Sequence, residues 1–363
     1  MGKAEKERLN QTLSRHISNI HETLQVLEQT TPPSSPNRGS WEEVLKMGDQ
    51  VSKEATIVGM LWTGETPQVK AIEENMETYF NMLQGLLLIS HGIRVGAGPT
   101  LSSGIHASLG KVVDSSFKLM IETVSSNGSS NKDFKLTVPQ LVGAVWEACS
   151  ALKKTPSTNI TAIGRAMTQV AVSVKDVLRE MKELKPSSSN QTDEATDASF
   201  EDSTLQDNDN VSDDDLGNDL SDEEMKIVQS AIGVVSETIA VIKELIRTIT
   251  SLLKQEKPVD TGNFVDSLEK LLKLCQDMGV LIDEIGASLY PPQEISAIRA
   301  ALEKMSSMVS GMQAEVENLT CSSGAFLQAC GGLRSSIKQM ESELECPTST
   351  DVVDKMQNLV VDN

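Results

Sequence analysis

Aromatic side chains are scarce in this chain: three Trp, two Tyr and six Phe among 363 residues. A core of any size must therefore be filled with Leu, Ile, Val, Ala and Met, and a hydrophobic content of 39% supplies enough of them for two domains. Cysteine is equally thin. The five, Cys149, Cys275, Cys321, Cys330 and Cys346, are odd in number, scattered and without a CxxC pair. That argues against a disulfide framework or a zinc site and for buried, reduced thiols. No run approaches the ~18 apolar residues of a membrane span; the longest, such as Gly85 to Ile89, are pieces of amphipathic pattern. The N-terminus, MGKAEKERLNQTL, is charged and lacks the apolar segment of a secretion signal. Lys6 also stands where a myristoylation signal on Gly2 requires Ser or Thr. The expectation is an intracellular protein with no membrane partner.

Positive charge is missing from one place in particular. From Pro186 to Met225 there are 14 Asp or Glu and no Lys or Arg, so this segment supplies most of the formal net charge of -20. The rest of the chain is close to neutral. Asp, Asn, Ser and Gly dominate the segment, and its few apolar residues, among them Phe200, Leu205, Val211, Leu216 and Leu220, bury too little surface to offset the entropy of ordering it. The composition predicts an acidic disordered linker over 186–220, a tether that a protease should cut first to leave two stable fragments.

On both sides of the linker the pattern is almost purely helical. Ser40 with Glu43 forms a capping box, followed by a stripe through Trp41, Val44, Gly48, Val51, Ala55, Val58 and Trp62. Thr66-Pro67 restarts a helix that runs through Met76, Phe80, Leu83 and Leu87 to the break HGIRVGAGPT, and a further helix covers Leu101 to Val124. Thr137, Pro139 and Gln140 open the next, and Ile160, Ile163, Met167, Val170, Val174, Val177, Met181 and Leu184 mark another. With a first helix from Lys3 to about Glu28, cut off by TTPPSSPNRG, the span 1–185 reads as an N-terminal bundle of five to six helices. Beyond the linker, Ser221 and Glu224 form a second capping box. Four stripes then follow over 221–345, the second stopped by Tyr290-Pro291-Pro292, and 346–363 is a C-terminal tail. No segment alternates like a strand. The fold class predicted is all-α, two antiparallel helical bundles joined by the acidic linker.

The same chain offers no complete reactive constellation. Gly104 to Gly110-Lys111 is one residue too long for a P-loop, and Val112 occupies the place of the hydroxyl that would hold magnesium. The glycine-rich stretch therefore reads as a structural loop. His16, His21, His91 and His106 have no metal-ligand spacing, no GxSxG elbow is present, and carboxylate pairs on the helices look like solvated faces. The sequence predicts no enzyme, no cofactor and no metal. The best basic clusters, Lys3/Lys6/Arg8 and Lys153/Lys154, are diluted by neighbours, so direct contact with nucleic acid is not expected. Ser199, Ser212 and Ser221 each have an acidic residue three positions on, the context an acidophilic kinase selects, and are candidate phosphorylation sites.

Four islands carry a resemblance: WEEVLKMGDQVSKEATIVGMLW from Trp41 to Trp62, VWEAC from Val145 to Cys149, the acidic tract, and SLYPP from Ser288 to Pro292. In this order and spacing they are similar to the D-type-cyclin-binding protein family, also described as maternal Id-like helix-loop-helix proteins, in a divergent, plant-type form. The resemblance implies a non-enzymatic protein-binding regulator of cell-cycle progression and transcription. Its partners would be D-type cyclins and helix-loop-helix transcription factors, met in cytoplasm and nucleus, without a basic region to hold DNA. The alternative drawn from the bundles alone is a vinculin-like cytoskeletal or junctional adaptor. No binding residue is assigned, because the outer helix faces show no evident aromatic anchor.

Overall fold

The computed structural model describes residues 3–29, 39–61, 68–125, 134–186, 220–254, 262–319 and 323–345. They form ten α-helices: α1 (Lys3–Gln29), α2 (Trp41–Leu61), α3 (Val69–Gly92), α4 (Pro99–Ser125), α5 (Phe134–Leu152), α6 (Asn159–Glu183), α7 (Asp222–Ser251), α8 (Gly262–Ser288), α9 (Ile295–Asn318) and α10 (Gly324–Glu345). Among the described residues there is no strand, and the one isolated bridge pairs Pro186 with Leu220. The fold is all-α. Residues 187–219, where the linker was expected, Trp62 with the Thr66-Pro67 restart, and the tail 346–363 lie outside the described residues.

Both capping boxes form. The Ser40 amide donates to Glu43 Oε2 at 2.8 Å while the Glu43 amide donates to Ser40 Oγ at 3.2 Å, and Ser221 and Glu224 repeat the exchange at the start of α7. Two orphan donors are satisfied at each helix start by one pair of side chains. The start of α5 differs from the sequence reading: the helix begins at Phe134 and contains Pro139. A proline this close to the N-terminus removes only one intrahelical hydrogen bond, so the helix extends back through it.

The chain divides into two compact units. The first comprises Met1–Ile163 and Val259–Glu269. In it α3 packs on α1, α2 and α4, and α5 packs on α2 and α4, around Val51, Tyr79, Phe80, Leu83, Val112, Leu119, Val145 and Leu152. Glycines set the α2/α5 spacing. A Cβ on Gly48 would lie 2.9 Å from Leu152 Cδ1 and one on Gly59 2.7 Å from Val142 Cγ2, so only hydrogen at these two positions lets the helices approach this closely.

The second unit comprises Gly164–Pro258 and Lys270–Asn363. Most of α6, placed by the sequence reading with the N-terminal bundle, thus belongs to the unit that holds α7, α9 and α10. Its stripe faces α8: a Cβ on Gly279 would lie 3.1 Å from Val170 Cγ1, and one on Gly286 3.0 Å from Val177 Cγ1. Because residue numbers rise together along the contact, α6 and α8 run in the same direction, as two helices separated by two reversals do. α7 packs on α10, with Val228, Ala231, Val235, Ile242, Leu245 and Ile249 buried. By length and composition α7 is the one described helix apolar enough to cross a membrane, a property it shares with core helices of bundles.

Three outcomes test this packing. Gly59→Val forces a branched side chain into Val142 and should cost about 1–3 kcal/mol. Gly104→Ala, which meets nothing within 4 Å in the second turn of α4, should gain roughly 0.5–1 kcal/mol; chemical denaturation reads both. Cutting the full chain at a protease site engineered within residues 187–219 should leave two pieces that co-elute on size exclusion, since α6 lies on one side of the cut and its partner α8 on the other. Separate elution in native buffer contradicts the packing of α6 on α8.

Candidate protein-interaction surface

The break HGIRVGAGPT is a crossing point of side-chain hydrogen bonds. Gly96 takes φ 78°, a left-handed turn that glycine adopts without strain, and the chain then enters α4. The Gly98 amide donates to Asn159 Oδ1 at 2.7 Å, Asn159 Nδ2 donates to the Gly96 carbonyl at 2.9 Å, and the Thr100 amide and hydroxyl donate to the two Glu269 carboxylate oxygens at 2.9 and 2.7 Å. The amides that a phosphate would need are thus engaged by an amide oxygen and a carboxylate, and a carboxylate in that position repels an anion. Gly104 and Gly110 lie inside the continuous helix α4. The part of the glycine-rich stretch read as loop from Pro99 onward is thus helix, and only the turn before it is irregular.

The thiols are enclosed. Cys149, Cys275 and Cys330 are free and buried, and burial pushes their pKa values up to about 12, 12 and 11. Among the described residues no three His, Cys, Asp or Glu are grouped to hold a metal ion. His16 stacks on Phe80 with ring centroids 5.0 Å apart, and His21 meets Phe117 edge-on at 5.2 Å, so both serve as amphipathic packing residues. Of the candidate phosphorylation sites, Ser199 and Ser212 lie outside the described residues. Ser221 is the N-cap of α7, its hydroxyl accepting from the Glu224 amide and donating to Glu224 Oε2 at 2.9 Å. A phosphate there would gain from the helix dipole but would displace that cap and face Asp222, Glu223 and Glu224.

The aromatic anchor not evident in the sequence is Trp146. It lies in VWEAC on α5, and its stripe neighbours Val145 and Cys149 are buried. Trp146 itself is 48% exposed, yet it is fixed in place: its indole N–H is shared between the Ser52 carbonyl at 3.2 Å and Thr56 Oγ1 at 3.1 Å on α2. Two of the sequence islands therefore meet at one spot. Met60, one turn beyond Thr56, is 67% exposed and Ile57 45%, which extends the apolar surface along α2. At the other end of the face Lys153 pairs with Asp49 at 3.2 Å, both side chains more than half exposed, so the pair frames the surface with little effect on stability. A rigid, partly wet tryptophan among aliphatic neighbours with a charged margin has the composition of a protein-binding hot spot. Two grooves in the second unit are poorer candidates. One of about 800 Å³ between α7 and α10 is lined by Met225, Ile227, Asp222, Glu223 and Glu343 without an aromatic residue, and one of about 260 Å³ beside Tyr290 is bordered by Glu180 and Asp283.

The α2/α5 face is braced from beneath. Glu54 is buried on α2, where Asn75 Nδ2 of α3 donates to Oε1 at 3.3 Å, and Tyr79 of α3 donates to Ser116 Oγ of α4 at 2.8 Å. Burial raises the pKa of both Glu54 and Tyr79.

The model for the N-terminal domain of Grap2 and cyclin-D-interacting proteins matches residues 43–187, and that for their C-terminal domain matches residues 205–314, together well over half of the chain. The chain is also 23% identical over 306 residues to the cyclin-D1-binding protein 1 homolog of Xenopus laevis, a match covering 81% of this chain and 86% of that protein.

Glu54 supplies a pH test of the brace. Its folded pKa is raised, so the protonated form is the one the fold favours; its contribution is present below the ordinary value of 4.5 and is lost as pH rises through the folded value. Glu54→Gln, which mimics the neutral form, should therefore melt higher than the parent at neutral pH, and the difference should shrink toward zero as pH falls below about 4.5. Thermal melts of the two proteins between pH 4 and 8 measure it.

Proposed function

Because this chain belongs to the Grap2 and cyclin-D-interacting family, we propose that it is a non-enzymatic binding protein that engages D-type cyclins through the α2/α5 face centred on Trp146. The observation that carries this reading is the half-exposed indole held by two hydrogen bonds to α2. A side chain already fixed in one orientation loses little entropy on binding, so its apolar area contributes to affinity almost undiminished. The relative from Xenopus laevis, named for binding cyclin D1, supports the partner class.

The finer reading extends to helix-loop-helix transcription factors, and through both partner classes to restraint of cell-cycle entry and transcription in nucleus and cytoplasm. It rests on the sequence islands and on the absence of a clustered basic run that would contact DNA phosphates. A protein of this kind reaches transcription by occupying other proteins. The helix-in-groove mode suits it, since the exposed residues Met60, Ile57 and Trp146 lie along a helix pair rather than in a deep pocket.

Trp146→Ala should weaken binding to an immobilised D-type cyclin at least tenfold, about 1.4 kcal/mol, while circular dichroism and melting stay close to the parent's. Leu327→Ala, at an exposed position of α10, should leave the affinity unchanged, as should deletion of residues 187–219. Equal affinity of the Trp146→Ala and parent proteins sinks the assignment of this face.

A further inference from the structure

α1 stands apart from the helices it covers. The N-terminal family match begins at residue 43, after α1 ends, whereas the surface beneath α1, made by α3 and α4, lies wholly inside it. Residues 30–38 separate α1 from the first residues of the described segment that leads into α2. Its apolar side is a narrow line: Leu9, Leu13 and Ile20 are buried and Ile17 and Leu24 partly so. On the other side of the contact Phe80, Leu83 and Leu87 of α3 and Phe117 and Met120 of α4 are buried.

His16 and His21 add ring contacts to Phe80 and Phe117, and the polar contacts of α1 are of the kind that exchange readily with solvent. Arg8 forks onto Glu73, with Nε to Oε1 and Nη2 to Oε2 both 2.8 Å; Lys6 Nζ donates to the Ser125 carbonyl at the end of α4 at 2.9 Å; Gln84 Nε2 donates to Thr23 Oγ1 at 3.3 Å. The Arg8 side chain is 61% exposed and the Lys6 bond lies on the surface, so neither adds much to stability. The Arg8 fork does fix direction and register, because a guanidinium meets a carboxylate in one planar geometry. What α1 presents to the groove is thus a short code: a basic residue, Leu next to it, Leu four on, and Ile seven further, along one helix face.

From this we infer that the α3/α4 groove is a docking site for an amphipathic helix, that α1 is its built-in occupant, and that a partner helix with the same basic-then-aliphatic pattern takes the groove by displacing α1. This is a second interaction surface, distinct from the Trp146 face and independent of the cyclin reading. Displacement exchanges one helix for another at equal apolar burial, so the apparent affinity for a partner is set by the difference between the two helices rather than by the groove alone.

The test uses the full chain and one probe, a fluorescent synthetic peptide of residues 1–29. In the variant Leu13→Glu, Ile20→Glu the groove is intact but its own α1 is disabled. Anisotropy should show the peptide binding this variant at least tenfold more tightly than the parent chain. An Arg8→Glu peptide should lose at least threefold, and should recover on the variant that also carries Glu73→Arg. Equal peptide affinity for parent and variant overturns the proposal, as does a charge exchange without effect. Loss of the variant's cooperative melt overturns it as well, since α1 would then be an indispensable part of the core rather than a removable cover.

Discussion

Helices packed through Leu, Ile, Val and Met, with few rings among them, gain stability only where they come close, and in this protein glycine sets that distance. Gly48 and Gly59 bring α2 onto α5, and Gly279 and Gly286 bring α8 onto α6. A glycine inside a helix costs about 1 kcal/mol relative to alanine. That cost is offset here by the dispersion contacts that a closer approach allows, each small but many per side chain. The same spacing determines the candidate surface. At the α2/α5 seam the Trp146 ring reaches α2 and its N–H finds Ser52 and Thr56. A Cβ at Gly48 or Gly59 would separate the helices and leave that donor short of its acceptors.

The polar groups inside the first unit follow a related logic. Tyr79, Ser116 and Glu54 lie between helices that aliphatic residues hold together, and each has a hydrogen-bond partner, as burial demands. The Asn159 and Glu269 side chains do the same for the backbone of the turn before α4. A bundle with few aromatic residues thus fixes its register by a handful of buried polar contacts.

Much of this was legible in the sequence, and the reason is local. Periodicity and capping boxes depend on neighbours three and four residues apart, so the helices and the Ser40 and Ser221 caps could be read directly. What could not be read depends on partners far away. The stripe from Ile163 to Met181 declares a buried face but not the helix that buries it, and α8 becomes its partner only through glycines more than a hundred residues on. Trp146 shows the same limit. It stands one step from buried Val145, and its exposure and its hydrogen-bond partners depend on where α2 lies. Glu269 gave no signal at all, since a helical carboxylate normally faces solvent.

The Thr100–Glu269 contact has a consequence for how the chain is made. The two residues are 169 positions apart, and at ~5–20 residues per second the ribosome needs on the order of ten to thirty seconds to deliver the second after the first. Throughout that interval the turn before α4 has emerged but lacks its carboxylate. The first unit therefore stays unfinished until most of the polypeptide has been synthesised, so a nascent chain stalled before α8 would present an incomplete N-terminal half to the chaperones around it.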